Sequence, residues 1–160
     1  MKNKIISLVL LTFIWSCQIK NNLLLYPNKA RYTAKTNSFN YKEFNNENSD
    51  YSSKFSVYFA YNSSSLSNDS KNQLNSFIDN LSDEEKELVY YVEGNTDDSG
   101  TDNYNMILSR YRAENVKEYL ISKGLTEQNL IILPKGENNP IANNTTEPNL
   151  NRRVTIYIKN

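Results

Sequence analysis

The chain contains no histidine, which removes the commonest general base, the Ser-His and Cys-His nucleophile pairs, and the His-based zinc and haem sites. It has one cysteine, Cys17, so these residues can form neither an internal disulfide nor a cysteine-cluster metal site. A charge excess is missing as well. Lys and Arg total 18 and so do Asp and Glu, which leaves no bulk positive field to hold nucleic acid. The apolar run Ile5 to Ile14 falls well short of the roughly 20 residues that span a bilayer. What remains is a chain of 160 residues, 38% apolar and 22% charged, a size that suits one compact domain plus extensions.

Lys2 and Lys4 precede that apolar run, and Trp15, Ser16 and Cys17 follow it, the pattern of a secretory signal. The stretch Ile14-Trp15-Ser16-Cys17 resembles a bacterial lipobox, although Trp15 stands where a small residue is usual. The resemblance implies removal of residues 1–16, lipidation of Cys17 and a chain facing away from the cytoplasm. Loss of Lys2 and Lys4 leaves 16 basic against 18 acidic residues, so lipid more than charge would hold the protein to a membrane. From Gln18 to about Lys54 the chain is dense in Asn, Ser, Lys and Tyr without apolar periodicity, and reads as a solvated linker. The cluster Leu23-Leu24-Leu25-Tyr26 is too small for a core of its own and reads as a docking element for the membrane surface or the domain.

The domain is expected over 55–160. Phe55, Val57 and Phe59 alternate with polar or amphipathic residues, predicting a first strand. Leu74, Phe77, Ile78 and Leu81 recur at i, i+3, i+4 and i+7, predicting an amphipathic helix that Ser67 caps. Leu88 to Val92 reads as a second strand ended by Gly94. Residues 103–123 carry the longest helical pattern, with Gly124 placed for a left-handed stop and Leu125 to fold back over the end. A third strand is expected over Asn129 to Leu133, a loop over Pro134 to Leu150, and a last strand where Val154, Ile156 and Ile158 alternate with Thr155, Tyr157 and Lys159. The resulting β-α-β-α-β-β order predicts an α/β (α+β) two-layer sandwich, a small mixed sheet with helices on one face.

Chemistry concentrates ahead of the long helix, in Asn95-Thr96-Asp97-Asp98-Ser99-Gly100-Thr101-Asp102, where helix-start N–H groups and side-chain oxygens converge. Within the helix, Asn105, Leu108, Ser109, Arg112, Ala113, Val116 and Leu120 fall at steps of three or four, so Arg112 shares the stripe expected to face the sheet. A buried guanidinium needs a partner, and a carboxylate from Asp97, Asp98 or Asp102 is expected to approach it. Two readings stay open. An Arg-Asp clamp would fix the loop; the same charges held slightly apart would take a ligand's ammonium and carboxylate, and so recognise a zwitterion.

The segment Val92-Glu93-Gly94-Asn95-Thr96-Asp97 with Gly100, Tyr104-Asn105, Leu108-Ser109, Arg112-Ala113, Val116 and Leu120 resembles the OmpA-like peptidoglycan-binding domain, shared with peptidoglycan-associated lipoprotein and the MotB C-terminal region. Val57-Tyr58-Phe59, Asn62, Gly136-Glu137, Pro140 and Asn151-Arg152-Arg153-Val154 extend the likeness over about residues 55–159. The resemblance implies a non-catalytic, cofactor-free periplasmic domain on the outer membrane that binds the meso-diaminopimelate of the peptidoglycan stem peptide. Carried over by position, Asp97 receives the ligand's side-chain ammonium and Arg112 its carboxylate; Thr96, Asn105 and Leu108 line the same cleft, and Asn62 and Arg152 flank it. Arg153, one step along a strand, points to the opposite face. Two positions depart from the family pattern, Asn95 for the usual histidine and Ala60 for the usual aspartate.

Three rivals belong to other classes. A glycan hydrolase would pair Asp97 with Glu93 or Asp98, yet neighbours in one loop rarely oppose each other across a sugar. A calcium loop of Asp97, Asp98, Ser99 and Asp102 lacks the twelve-residue EF-hand pattern. An interaction module for other envelope proteins would use the 12 tyrosines, with wall binding weakened, lost or retained beside it.

Overall fold

Residues 51–159, which a computed structural model describes, carry the expected element order with three short helical turns added. The elements are β1 Tyr51–Tyr58, α1 Asn68–Asp79, α2 Asp83–Lys86, β2 Tyr90–Asn95, α3 Asp102–Ser122, a 3-10 turn Glu127–Asn129, β3 Leu130–Gly136, α4 Pro148–Asn151 and β4 Arg153–Lys159. They form a mixed α/β sandwich. One sheet of order β1-β4-β2-β3 has β4 antiparallel to both neighbours and β2 parallel to β3. The expectations for residues 1–16, for Cys17 and for the linker up to Asp50 lie outside the described residues.

Period-two patterning sets which residues of β1 and β4 face the helices, while β2 is buried at every position. Val57, Val92, Val154 and Ile156 meet Leu74 and Ile78 of α1 and Ala113, Val116 and Leu120 of α3 in one core. Burying each such aliphatic side chain is worth about 1.5–3 kcal/mol. Ser67 caps α1 by accepting from the Ser70 N–H. At the other end of α3, Gly124 takes a φ of +103°, its N–H bonds Ile121 O, and the Leu125 N–H reaches back to Leu120 O. This is the left-handed stop the sequence predicts, with buried Leu125 folded over the last turn.

The boundaries differ from the sequence reading in three places, each for a local reason. The first strand starts at Tyr51 rather than Phe55, because Tyr51, Ser52 and Ser53 pair with Lys159, Ile158 and Tyr157 before an irregularity at Lys54. The second strand starts at Tyr90 rather than Leu88. Ser82 and Glu85 form a reciprocal capping box, a signal present in the sequence, and the turn it nucleates takes up the Leu88 N–H through Glu85 O. The third strand runs on through Pro134 to Gly136; β3 is an edge strand, where the missing proline N–H leaves no ladder bond unmade.

The loop between β3 and β4 is organised by one side chain. Asn151 is fully buried; its Oδ1 accepts from the N–H of Ile141 and Ala142, and its Nδ2 donates to Ala142 O and Asn144 Oδ1. Asn151→Ala is expected to cost about 2 kcal/mol or more by stranding these groups. Urea denaturation would measure the loss, and limited proteolysis should cut 137–147 earlier; an unchanged midpoint would show that water replaces the amide.

Candidate functional site

Four segments converge at one end of the sheet: the loop after β1, the loop after β2, the start of α3 and the residue before β4. Together Tyr61, Asn62, Asp97, Ser99, Gly100, Tyr104 and Leu108 line a cleft of about 330 Å³, near the lower end of the volumes that hold small molecules. Thr101 caps α3 by accepting from the Tyr104 N–H, which fixes where the helix begins. Gly94 allows α3 to lie against β2: a Cβ there would sit 2.0 Å from Ser109 O.

Asp97 stands on the cleft wall with 5% of its surface exposed. Its Oδ2 accepts from Arg152 NH1 at 2.9 Å and its Oδ1 from the Ser99 N–H at 3.4 Å. Arg152 also donates from Nε to Phe59 O, and its own carbonyl accepts from the Phe59 N–H at 2.8 Å. That exchange ties the Asp97 partner to the end of β1. Across the opening, the Tyr104 hydroxyl donates to Asn62 Oδ1. Asn62 has a φ of +51°, a left-handed conformation that asparagine tolerates better than most residues.

Arg112 is placed as the helical stripe predicts but is partnered differently. Among the described residues no carboxylate bonds it. Its Nε donates to Ser63 O at 2.8 Å, NH1 to Asn95 O at 2.8 Å and NH2 to Ala60 O at 3.3 Å, while the guanidinium lies 5.3 Å from the Phe59 ring centre. Carbonyl dipoles therefore replace the expected carboxylate. Burial pulls its pKa down to about 10; the nearby Asp97 charge opposes that fall and Arg152 adds to it. At neutral pH it stays charged. With 1% of its surface exposed, Arg112 stands outside the cleft lining and joins the loop after β1 to the end of β2.

The other expected site residues divide. Asn62 and Leu108 line the cleft with Asp97, and Arg152 adjoins it through the ion pair. Thr96 is 2% exposed and fixed by its N–H to Gly136 O at 2.8 Å. Asn105 is fully buried and donates to Glu137 Oε2; it couples α3 to the loop after β3 instead of facing the opening. Tyr61, Ser99, Gly100 and Tyr104 complete the lining without having been singled out as ligand contacts. Tyr104 was legible as an exposed helix-start residue one turn before Leu108; Tyr61 carried no periodic signal.

Glu93 and Arg153 lie on the other face of the sheet. Glu93 Oε1 accepts from Asn139 Nδ2 at 2.7 Å and from Asn95 Nδ2 at 3.1 Å, with Arg153 NH2 at 3.9 Å. Arg153 also donates to Asn139 O. The Glu93 carboxylate thus clamps the loop after β3 and does not oppose Asp97. Asp98 is exposed.

A mixed sheet of order β1-β4-β2-β3, both long helices on one face and a charged cleft at the C-terminal end of β2 define an OmpA-like domain. The OmpA family model matches residues 58–153, and the chain belongs to the OmpA family. It is 35% identical over 104 residues to a peptidoglycan-associated lipoprotein of Buchnera aphidicola, a match covering 63% of this chain and 60% of that protein. Against Outer membrane protein A of Bordetella avium it is 51% identical over 67 residues, 41% of this chain and 34% of the relative. The matches thus span between about a third and three fifths of these relatives' length. Among solved structures, the peptidoglycan-associated lipoprotein of Burkholderia pseudomallei superposes with a TM-score of 0.58 at 28% identity, covering 65% of this chain and 90% of that one. The C-terminal domain of Helicobacter pylori MotB gives 0.57 at 25% identity, covering 67% and 86%.

Proposed function

We propose that the domain binds peptidoglycan without cutting it, taking the zwitterionic end of a meso-diaminopimelate residue of the stem peptide in the cleft beside Asp97. The observation that carries this reading is the juxtaposition of a nearly buried carboxylate with two guanidinium groups at a walled opening. The ligand's ammonium sits on Asp97, where a charge-assisted bond is worth about 1.5–3 kcal/mol. Its carboxylate lies between Arg152, which is partly open to solvent, and Arg112 behind it. Three of the five N–H donors of Arg112 are engaged by carbonyls, and its positive charge lies close enough to act on Asp97. With Cys17 lipidated on the periplasmic side of the outer membrane, the linker of about 35 residues could reach on the order of 100 Å. Wall binding would then tether that membrane to the wall.

Retention on isolated sacculi tests this. Asp97→Asn keeps the shape and removes the charge, and is expected to lower affinity about 10- to 100-fold; because it also breaks the ion pair with Arg152, retention is measured at a temperature where circular dichroism shows the variant folded. Retention equal to the unmodified protein would overturn the clamp. A second reading has one observation in its favour: the 2.9 Å Asp97–Arg152 ion pair already satisfies the acid. On that reading the domain is a structural or protein-interaction module of an envelope complex, and Asp97→Asn would lower stability while leaving sacculus binding absent or unaltered.

A further inference from the structure

Asn95 stands where β2 leaves the sheet. On the β4 side the last pair of the ladder is Gly94 with Val154, and on the β3 side a register shift past Lys135 brings Asn95 opposite Gly136. An irregularity of this kind at a strand end re-aims the residues around it. The Thr96 N–H then bonds Gly136 O at 2.8 Å, and Asp97, two residues on from Asn95, reaches the cleft lining.

Asn95 itself is 1% exposed and stands outside that lining. It is held from two directions. Its carbonyl accepts from Arg112 NH1 of α3 at 2.8 Å, and its Nδ2 donates to Glu93 Oε1 at 3.1 Å on the far face of the sheet. Glu93 is anchored in turn, since the same oxygen accepts from Asn139 Nδ2 at 2.7 Å. Among the described residues Asn95 Oδ1 has no hydrogen-bond partner, so the bond to Glu93 is what orients the amide. Burying an amide costs free energy that a hydrocarbon of the same volume would not, and filling space needs only the hydrocarbon. What the amide adds is direction, because a hydrogen bond is short-ranged and angle-dependent. With side chain and carbonyl both tied, the Asn95 backbone is fixed, and the chain departs towards Asp97 along one path.

Resting on the stem-peptide reading of the cleft, we infer that Asn95 is a positioning residue. Its bond to Glu93, with the Arg112 bond to its carbonyl, sets the direction in which the chain leaves β2 and so aims the Asp97 carboxylate at the ligand's ammonium.

The test compares the full chain in detergent with Asn95→Ala, Asn95→His and Ser82→Ala. The alanine removes the donor and leaves Glu93 its bond from Asn139; the histidine returns a ring N–H. Ser82→Ala removes the cap of α2, ahead of the opposite end of β2, and reports a loss of stability alone. Two quantities are read at a temperature where circular dichroism shows every variant folded: calorimetric affinity for the free stem tetrapeptide containing meso-diaminopimelate, and the carbon-13 resonance of the Asp97 carboxyl group without ligand. Asn95→Ala is expected to weaken binding about 10-fold and to move the Asp97 resonance, Asn95→His to recover most of both, and Ser82→Ala to change neither. An unmoved resonance in Asn95→Ala, an equal shift in Ser82→Ala, or a loss that the histidine does not reverse overturns the positioning role. If the unmodified chain fails to bind the tetrapeptide, the peptide reading falls by itself, and the carboxyl resonance still decides the role of Asn95.

Discussion

Arg112→Met should unfold the domain at markedly lower urea, with a loss of about 3 kcal/mol or more. The substitution keeps an unbranched chain of similar reach and removes every donor. Three carbonyls then lose the guanidinium together: Ser63 from the loop after β1, Asn95 at the end of β2, and Ala60, which keeps the Ser63 N–H at 3.3 Å. Stranding a buried acceptor such as the Asn95 carbonyl costs about 1–3 kcal/mol, and the part-buried Ser63 carbonyl adds to it. Relief from desolvating a guanidinium, the cause that pulls its pKa to about 10, offsets part of this. The balance still falls against the variant, because the guanidinium is what joins the loop after β1 to the buried Asn95 carbonyl at the end of β2. Arg112→Lys should recover part of the stability, since one ammonium cannot span three carbonyls set by a planar fork. Denaturation of the three proteins side by side checks the order; a methionine variant as stable as the arginine would mean that the carbonyls find other donors. Because the same loops carry Asn62 and the approach to Asp97, the proposed retention on sacculi should fall even at temperatures where the variant remains folded.

The second large effect is expected from the smallest change, Gly94→Ala. The added Cβ would meet Ser109 O at 2.0 Å and Ala113 Cβ at 3.3 Å, whereas carbon and oxygen rest no closer than about 3.3 Å. The obstacle is helix backbone, so no rotamer relieves it, and α3 must lift from β2 by more than an ångström. Ser109 moves with it, and its hydroxyl holds the Gly136 N–H at 2.9 Å; Arg112 and Ala113 follow one turn later. Overpacking costs about 1–3 kcal/mol where side chains can yield, and here they cannot. A loss of about 3 kcal/mol or more is expected, lowering the melting temperature on the order of 12–24 °C. Ala113→Gly in the same background relieves only the 3.3 Å contact and should rescue little. A melting temperature within a few degrees of the unmodified protein would show that the strand and helix are less closely apposed.

Helix α3 was readable because its pattern repeats over six turns, and the reading extended to its stop at Gly124 and Leu125. Strand identities were equally plain, the first and last from period-two alternation and the middle two from short apolar runs bounded by turn residues. The starts of β1 and β2 were not. Tyr51 joins a strand only through pairing with Lys159, more than a hundred positions away, and Leu88 is drawn into a turn that Ser82 and Glu85 nucleate. Membership of Asp97, Asn62, Leu108 and Arg152 in one neighbourhood followed from family likeness. The residues' spacing alone offered Asp97 and Arg112 as partners, and the structure bonds neither to the other.

The one-dimensional chain determined its own local structure, its class of fold and the absence of histidine or multi-cysteine chemistry, because these depend on periodicity and composition within a few turns. Partner choice was decided in three dimensions. Asp97 meets Arg152 across 55 residues, Arg112 meets Ser63 across 49, and Tyr104 meets Asn62 across 42. Hydrogen bonds are short-ranged and directional, so which carbonyl or carboxylate reaches a given guanidinium is set by how loops from distant strands close over the end of the sheet.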